Sequence, residues 1–224
     1  MTILGEAGMK PGVGRPILAS ILLLTLAVAG CGSSKQSGTS DEPGSQTKQL
    51  TALDLINIIG PEPDTPAGAA YSTDGGSATL TLSDLRGRAQ TTQEKATVKA
   101  FERAGFQRIF QRSFNGAINV ADATAYLFRT AEGAAKGLSV LQETLEKPGG
   151  VSQRVTSVPA ENLGDDAWAA HVTGGGTEGA LFLWRTGTLV VVADMSCDDT
   201  CDFDVVEAVR AYVDAIAERA KEIS

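Results

Sequence analysis

The stretch FQRIFQRSFNGAINVADATAYLFRTAEGAAKGLSVLQETLEK, residues 106–147, decides the fold. Phe106–Phe114 reads as a strand. Asn115-Gly116 is a strong hairpin signal, because both residues tolerate the positive φ of a type I′ turn. Ala117–Thr130 returns as a second strand that contains Ala125-Tyr126-Leu127-Phe128. The period then changes from two to 3.6. Between Ala131 and Lys147, Ala134, Leu138, Leu141 and Leu145 fall on one helical face, and Pro148-Gly149-Gly150 breaks the run.

The second half repeats this grammar. Val151–Val158 reads as a strand, and Ala167–Thr173, Ala180–Thr186 and Thr188–Met195 read as a meander. Gly174-Gly175-Gly176 and Gly187 supply its turns. A closing helix spans Phe203 to Glu222, with Val206, Val209, Tyr212 (or Val213), Ile216 and Ala220 as its stripe. Asp204 with Glu207 resembles a capping box at its start. Upstream, Leu50–Ile59 is apolar and stopped by Gly60-Pro61; it fits a short helix or a strand. Residues 61–76 read as a Pro/Gly/Asp loop, and Ala78–Leu82 as a weak strand. Thr92–Ala104 reads as a helix presenting Val98, Phe101 and Ala104, with Gly105 as its C-cap. The expectation is an α+β fold. Its antiparallel sheet is built from two hairpin- or meander-plus-helix halves, a degenerate duplication with the helices on one face of the sheet.

Composition bounds the function. The chain has 224 residues, 19 Lys+Arg against 27 Asp+Glu, a net charge of −8, 25 Gly, three Cys and one His. An acidic chain has no electrostatic case for binding nucleic acid. One His excludes a multi-His metal site and most His-dependent catalytic arrangements.

The N-terminal residues carry an address. Lys10 and Arg15 precede a 13-residue apolar run, Ile17–Ala29. A membrane-spanning helix needs about 20 apolar residues, whereas a signal-peptide core needs roughly 7–15 after a positive segment. Glu6 in the preface raises Met9 as an alternative start. Val28-Ala29-Gly30-Cys31 resembles the lipobox of bacterial lipoproteins. That resemblance implies that the Cys31 thiol receives a diacylglyceryl group and that a signal peptidase cuts just before it. Two buried acyl chains anchor stably where one does not. The competing reading is an ordinary secretory signal with an incidental Cys.

The organisation expected is therefore a signal peptide over 1–30, a flexible tether over 31–49 and one α+β domain over 50–224. Residues 32–49 hold no sizeable apolar side chain and cannot offset the entropy of ordering. From Cys31 onward the chain carries 17 Lys+Arg and 26 Asp+Glu. On that average it has no affinity for an anionic bilayer, so lipid at Cys31 supplies the membrane attachment. The element order over Phe101–Glu222 loosely resembles small α+β domains of secreted actinobacterial-type lipoproteins and the PsbP-like layout. The resemblance rests on no sharp motif and implies no chemistry.

Few residues are candidates for chemistry. Cys197 and Cys201 flank Asp198-Asp199-Thr200. In an oxidising compartment they form a structural disulfide linking the last strand to the last helix. The competing readings are a metal site with Asp198, Asp199, Asp202 or Asp204, and a redox pair. A zinc site without His is uncommon, and redox pairs usually have two intervening residues. His171, mid-strand, is weighed as a general base and has no nucleophile nearby in sequence. Trp168 and Trp184, on neighbouring strands, are weak ligand-stacking candidates. Gly174–Gly179 lacks the ending of a phosphate loop. Glu161, Asp165 and Asp166 form a loop of carboxylates without a defined separation. No cofactor or metal is expected.

The functional expectation is a non-enzymatic, membrane-anchored envelope module exposed outside the cytoplasm. It would bind a small ligand, a peptide or another envelope protein. Its alternatives are an accessory lipoprotein of a larger envelope complex and, less favoured, an envelope hydrolase.

Overall fold

The computed structural model describes residues 50–61, 76–116, 119–146 and 153–223. The expected signal peptide, Cys31, the expected tether and the 62–75 part of the predicted loop lie outside the described residues.

Apolar strand patterning builds the centre. Strand β1 covers Ser77–Thr81, β2 Phe106–Asn115, β3 Asn119–Phe128, β4 Arg154–Val158, β5 Asp166–Thr173, β6 Thr177–Thr186 and β7 Leu189–Asp198. They form one antiparallel sheet in the order β1-β2-β3-β7-β6-β5-β4. The two hairpin-bearing halves meet at the β3–β7 pair. The helices are α1 (Ala52–Ile59), α2 (Leu82–Arg88), α3 (Thr92–Arg103), α4 (Ala131–Glu146) and α5 (Val205–Ile223). The fold class is α+β, with the helices packed on the sheet.

The helices lie on both faces of the sheet, where one covered face was expected. Alternation along β6 and β7 shows why. Phe182, Trp184, Val191 and Ala193 join the core under α1 and α5. Leu181, Leu183, Val190 and Val192 join a second core under α3 and α4. Near-continuous apolar strands have no polar side to present to water, so both faces need cover. The duplication is correspondingly limited. A rotation relating antiparallel neighbours in one sheet preserves the face, yet α4 follows β3 onto one face and α5 follows β7 onto the other.

Local sequence starts three helices by the same device. Thr51 and Asp54, Thr81 and Asp84, and Thr91 and Glu94 form reciprocal capping boxes. In each, the hydroxyl accepts the N–H three residues on, and the carboxylate accepts the threonine N–H at 2.7–2.8 Å. Each box satisfies N–H groups that the first turn leaves unpaired. This resolves Leu50–Ile59 as helical and adds α2, a helix absent from the sequence reading. Two arginines hold the far end of α1. Arg219 donates to the Ile58 and Ile59 carbonyls at 2.8 Å each, and Arg112 donates to the Gly60 carbonyl. Cations there complement the negative end of the helix dipole.

Missing side chains let α4 approach. A Cβ on Gly137 would stand 2.1 Å from Phe128 Cζ, and one on Gly133 2.0 Å from the Ala104 carbonyl oxygen. Phe128 packs edge-on against Phe101 and Phe106 in the same core, with centroids 5.8 Å apart in both pairs.

Candidate functional site

The strand ends nearest the β7–α5 connection gather most of the polar side chains the sequence singled out. Cys197 is the penultimate residue of β7, and its sulfur lies 2.12 Å from that of Cys201, at disulfide distance. Cys197 is buried and Cys201 partly so. Glu178, at the start of β6, ties this link to the sheet. One carboxylate oxygen accepts the Cys201 N–H at 3.0 Å, and the other lies 2.9 Å from His171 Nε2. His171 and Glu178 are both part-exposed, with side chains 30% and 23% accessible.

Glu178 braces the β7–α5 link against β5 and β6. A general base needs a nucleophile or a substrate proton within hydrogen-bond reach. The partner of His171 is the Glu178 carboxylate, whose second oxygen accepts a backbone N–H. Asp204 accepts the Glu207 N–H at 3.0 Å at the start of α5. Asp198, Asp199, Asp202 and Asp204 are exposed. Among the described residues, no group of three or more His, Cys, Asp or Glu is placed to hold a metal ion.

The two tryptophans are not brought together. Trp168 faces Leu183 across the β5–β6 pair and packs against the α4-side core. Trp184 is fully buried in the α5-side core. Their rings stand on opposite sides of the sheet and share no ligand. Trp184 Nε1 and the Tyr212 hydroxyl, both on the α5 side, are buried without a hydrogen-bond partner among the described residues. The loop carboxylates are structural clamps. Asp165 and Asp166 pair with Arg185 at 2.8 Å each, and Asp165 also accepts the Gly187 N–H in the β6–β7 turn. The Glu161 carbonyl accepts from Arg210. Gly174, Gly175 and Gly176 all take positive φ in the β5–β6 turn, a conformation that glycine adopts without a Cβ penalty.

Sequence reasoning missed a carboxylate pair at the centre of the sheet. Asp122 on β3 stands directly opposite Asp194 on β7, on the α4 face, and Asp122 accepts from the Ser113 hydroxyl. Burial holds the Asp194 carboxyl well above the ordinary carboxylate range, and the facing Asp122 charge adds to it. Burial raises Asp122 too, against the lowering pull of Ser113. Two facing carboxyls in a desolvated place favour keeping a proton between them. A polar residue at alternate positions in two otherwise apolar strands was the available signal.

A second feature lies at the β1 edge. A groove of about 250 Å³ between α2 and α3 is lined by Arg86, Ala89, Lys95, Val98, Lys99 and Glu102. Arg86 pairs with Glu102 across it.

No protein-family model matches the chain, and no curated protein matches it. Solved structures do. The extracellular domain of PknH from Mycobacterium tuberculosis is 14% identical, with 75% of this chain and 92% of that one covered, at a TM-score of 0.37. A putative uncharacterized protein, the Rv0999 ortholog from Mycobacterium smegmatis, is 13% identical, with 68% and 90% covered, at 0.38. No helix among the described residues is long and apolar enough to cross a membrane.

Proposed function

We propose that the chain is a lipid-anchored cell-envelope protein whose domain is a non-enzymatic interaction module, exposed outside the cytoplasm and recognising a peptide or another envelope protein. The observation that carries the reading is the double-sided packing. Among the described residues, side chains fill the space on both faces of the sheet, and the exposed large apolar residues are Leu53 and Ile56 on α1. A binder of a small apolar ligand needs a concave, mostly apolar cavity. A protein packed on both faces has its edges and charged rim left for recognition. The anchor rests on Val28-Ala29-Gly30-Cys31 and the polar tether behind it.

Two measurements test the two parts. Mass analysis of the protein extracted from membranes is expected to give a chain beginning at Cys31 and bearing diacylglyceryl and palmitoyl mass. A Cys31→Ala variant is expected to lose that mass. An unmodified chain cut elsewhere overturns the anchor. Native mass spectrometry of the 32–224 fragment is expected to give the bare polypeptide mass. A retained small molecule, lost on denaturation, overturns the preference for a macromolecular partner.

A further inference from the structure

On the α4 face of the sheet, four polar side chains stand among apolar ones. Ser113, Asp122 and Asp194 form one row over β2, β3 and β7, each directly opposite the next. Ser196 lies two residues beyond Asp194, so strand alternation puts it on the same face. It stands between Val120 and Gly179, and Gly179 brings no side chain to meet it. Ser196 is 4% exposed, and its hydroxyl makes no hydrogen bond among the described residues. The Asp194 carboxyl accepts none there either. Asp122 gives one oxygen to the Ser113 hydroxyl, and its other oxygen accepts nothing among the described residues. A charge taken out of water needs a compensating charge, and among the described residues no Lys or Arg pairs with either carboxyl. Arg112 of β2 is committed on the other face, to the Gly60 carbonyl. Lys136 of α4 is paired with Glu132.

We propose that Asp122, Asp194 and Ser196 form a binding site for one calcium ion, with Ser113 holding the Asp122 carboxylate in place. Residues directly opposite in an antiparallel pair hold their Cβ atoms about 4.5–5.5 Å apart. An ion at about 2.3–2.6 Å from an oxygen of each carboxylate bridges oxygen separations up to roughly 5 Å, which suits such a pair. The donors are all oxygen, the set that calcium and magnesium take and that zinc or copper does not favour. The strand backbone fixes where those donors stand. Calcium accepts irregular coordination completed by water, whereas magnesium demands a near-ideal octahedron at about 2.0–2.1 Å. Ser113, Asp122 and Asp194 are partly exposed, which gives the ion and its waters a way in. The hydroxyl of Ser113 fixes the orientation of a ligating carboxylate, as groups behind metal ligands do. Because a hydroxyl completes the set, the site is not a cluster of three carboxylates. The ion clamps β3 to β7, the seam where the two halves of the sheet meet. In its absence a shared proton is the other way to neutralise the pair.

The test uses the 32–224 fragment, which contains every described element and both cores. Calorimetric titration with calcium chloride at neutral pH is expected to give one ion per chain, with a dissociation constant on the order of 10⁻⁴–10⁻³ M, the weak end of calcium sites, because only two carboxylates contribute. Calcium at about 10 mM is expected to raise the thermal midpoint by several degrees over chelator. Sodium chloride at matched ionic strength is expected not to. Magnesium is expected to bind severalfold more weakly. Asp194→Asn keeps the shape and removes a ligand charge. It is expected to weaken binding at least tenfold and to abolish the midpoint rise. In chelator it is expected to be as stable as the wild type or more so, because it takes away a charge the chain leaves unpaired. Ser196→Ala provides a second reading and is expected to weaken binding severalfold. Asp198→Asn with Asp199→Asn, at the exposed end of β7, is expected to leave both readouts unchanged. Absence of binding, or magnesium binding tighter than calcium, overturns the proposal. So does a midpoint rise that sodium reproduces, that survives in Asp194→Asn, or that is lost in the variant at Asp198 and Asp199.

Discussion

The two faces of one sheet are packed by different rules. Under α1 and α5 the core holds Phe110, Phe114, Phe182, Trp184 and Met195 with few polar atoms, and two of those, on Trp184 and Tyr212, go unpaired. Under α3 and α4 the core is a cluster of aromatic rings around Phe101 at one end. The same face carries Ser113, Asp122 and Asp194 further along the strands. One face therefore tolerates orphaned donors inside a large apolar mass, whereas the other carries two facing carboxyls whose affinity for a proton burial raises. The strands are shared, so the difference comes from alternate residues of the same segments.

The largest expected effect tests the apolar face. Trp184→Ala empties the largest fully buried side chain and is expected to cost about 3–5 kcal/mol, read as a drop in the urea midpoint at constant slope. Trp184→Phe sharpens the point. It keeps most of the volume and removes the unpaired N–H, so its loss is expected to be well under half that of the alanine variant. Equal losses would mean that the indole N–H is satisfied in solution. Next in size is the close approach on the other face. Gly137→Ala drives a methyl into the Phe128 ring, an overpacking cost of roughly 1–3 kcal/mol. The same change at Gly87, where a Cβ meets nothing within 4 Å, is expected to be neutral or slightly stabilising because Ala is the better helix former.

How legible this was from residues depends on the scale of the signal. The hairpin at Asn115-Gly116, the meander and the final helix announce themselves by local periodicity and turn chemistry, and they stand within a few residues of their expected bounds. The covering of both faces was also written in the chain, in the unbroken runs Ala180–Trp184 and Leu189–Ala193. Reading them as half-buried strands hid it. The three Thr-x-x-Asp/Glu boxes were equally available and would have started α1, α2 and α3. Pairing across the sheet was not available. That Asp122 meets Asp194, 72 residues away, follows from β3 lying beside β7, and no local pattern encodes that adjacency. The opposite facing of Trp168 and Trp184 follows from the register of β5 on β6, fixed by a turn of three glycines.

The smallest predicted effect is the one that separates the faces by chemistry. A carboxyl whose native pKa is raised binds its proton more tightly in the folded chain than in the unfolded one. Its contribution to stability is complete below the unfolded value, near 4 for Asp, and is lost as pH rises through the raised native value. Asp122 and Asp194 are both raised, so the wild-type protein is expected to lose stability across that window. Asp194→Asn keeps the shape and cannot ionise. It is expected to stabilise the protein by roughly 1–2 kcal/mol above the window and to bring no gain near pH 4, as followed by thermal midpoint across pH. Ser113 still donates to Asp122, whose carboxyl burial keeps raised. Asp204→Asn, at an exposed helix start, is expected to show no such gain at high pH. Should Asp194→Asn instead destabilise at high pH, the pair would be ionised and held by a cation, and the contrast between the faces would be one of charge compensation.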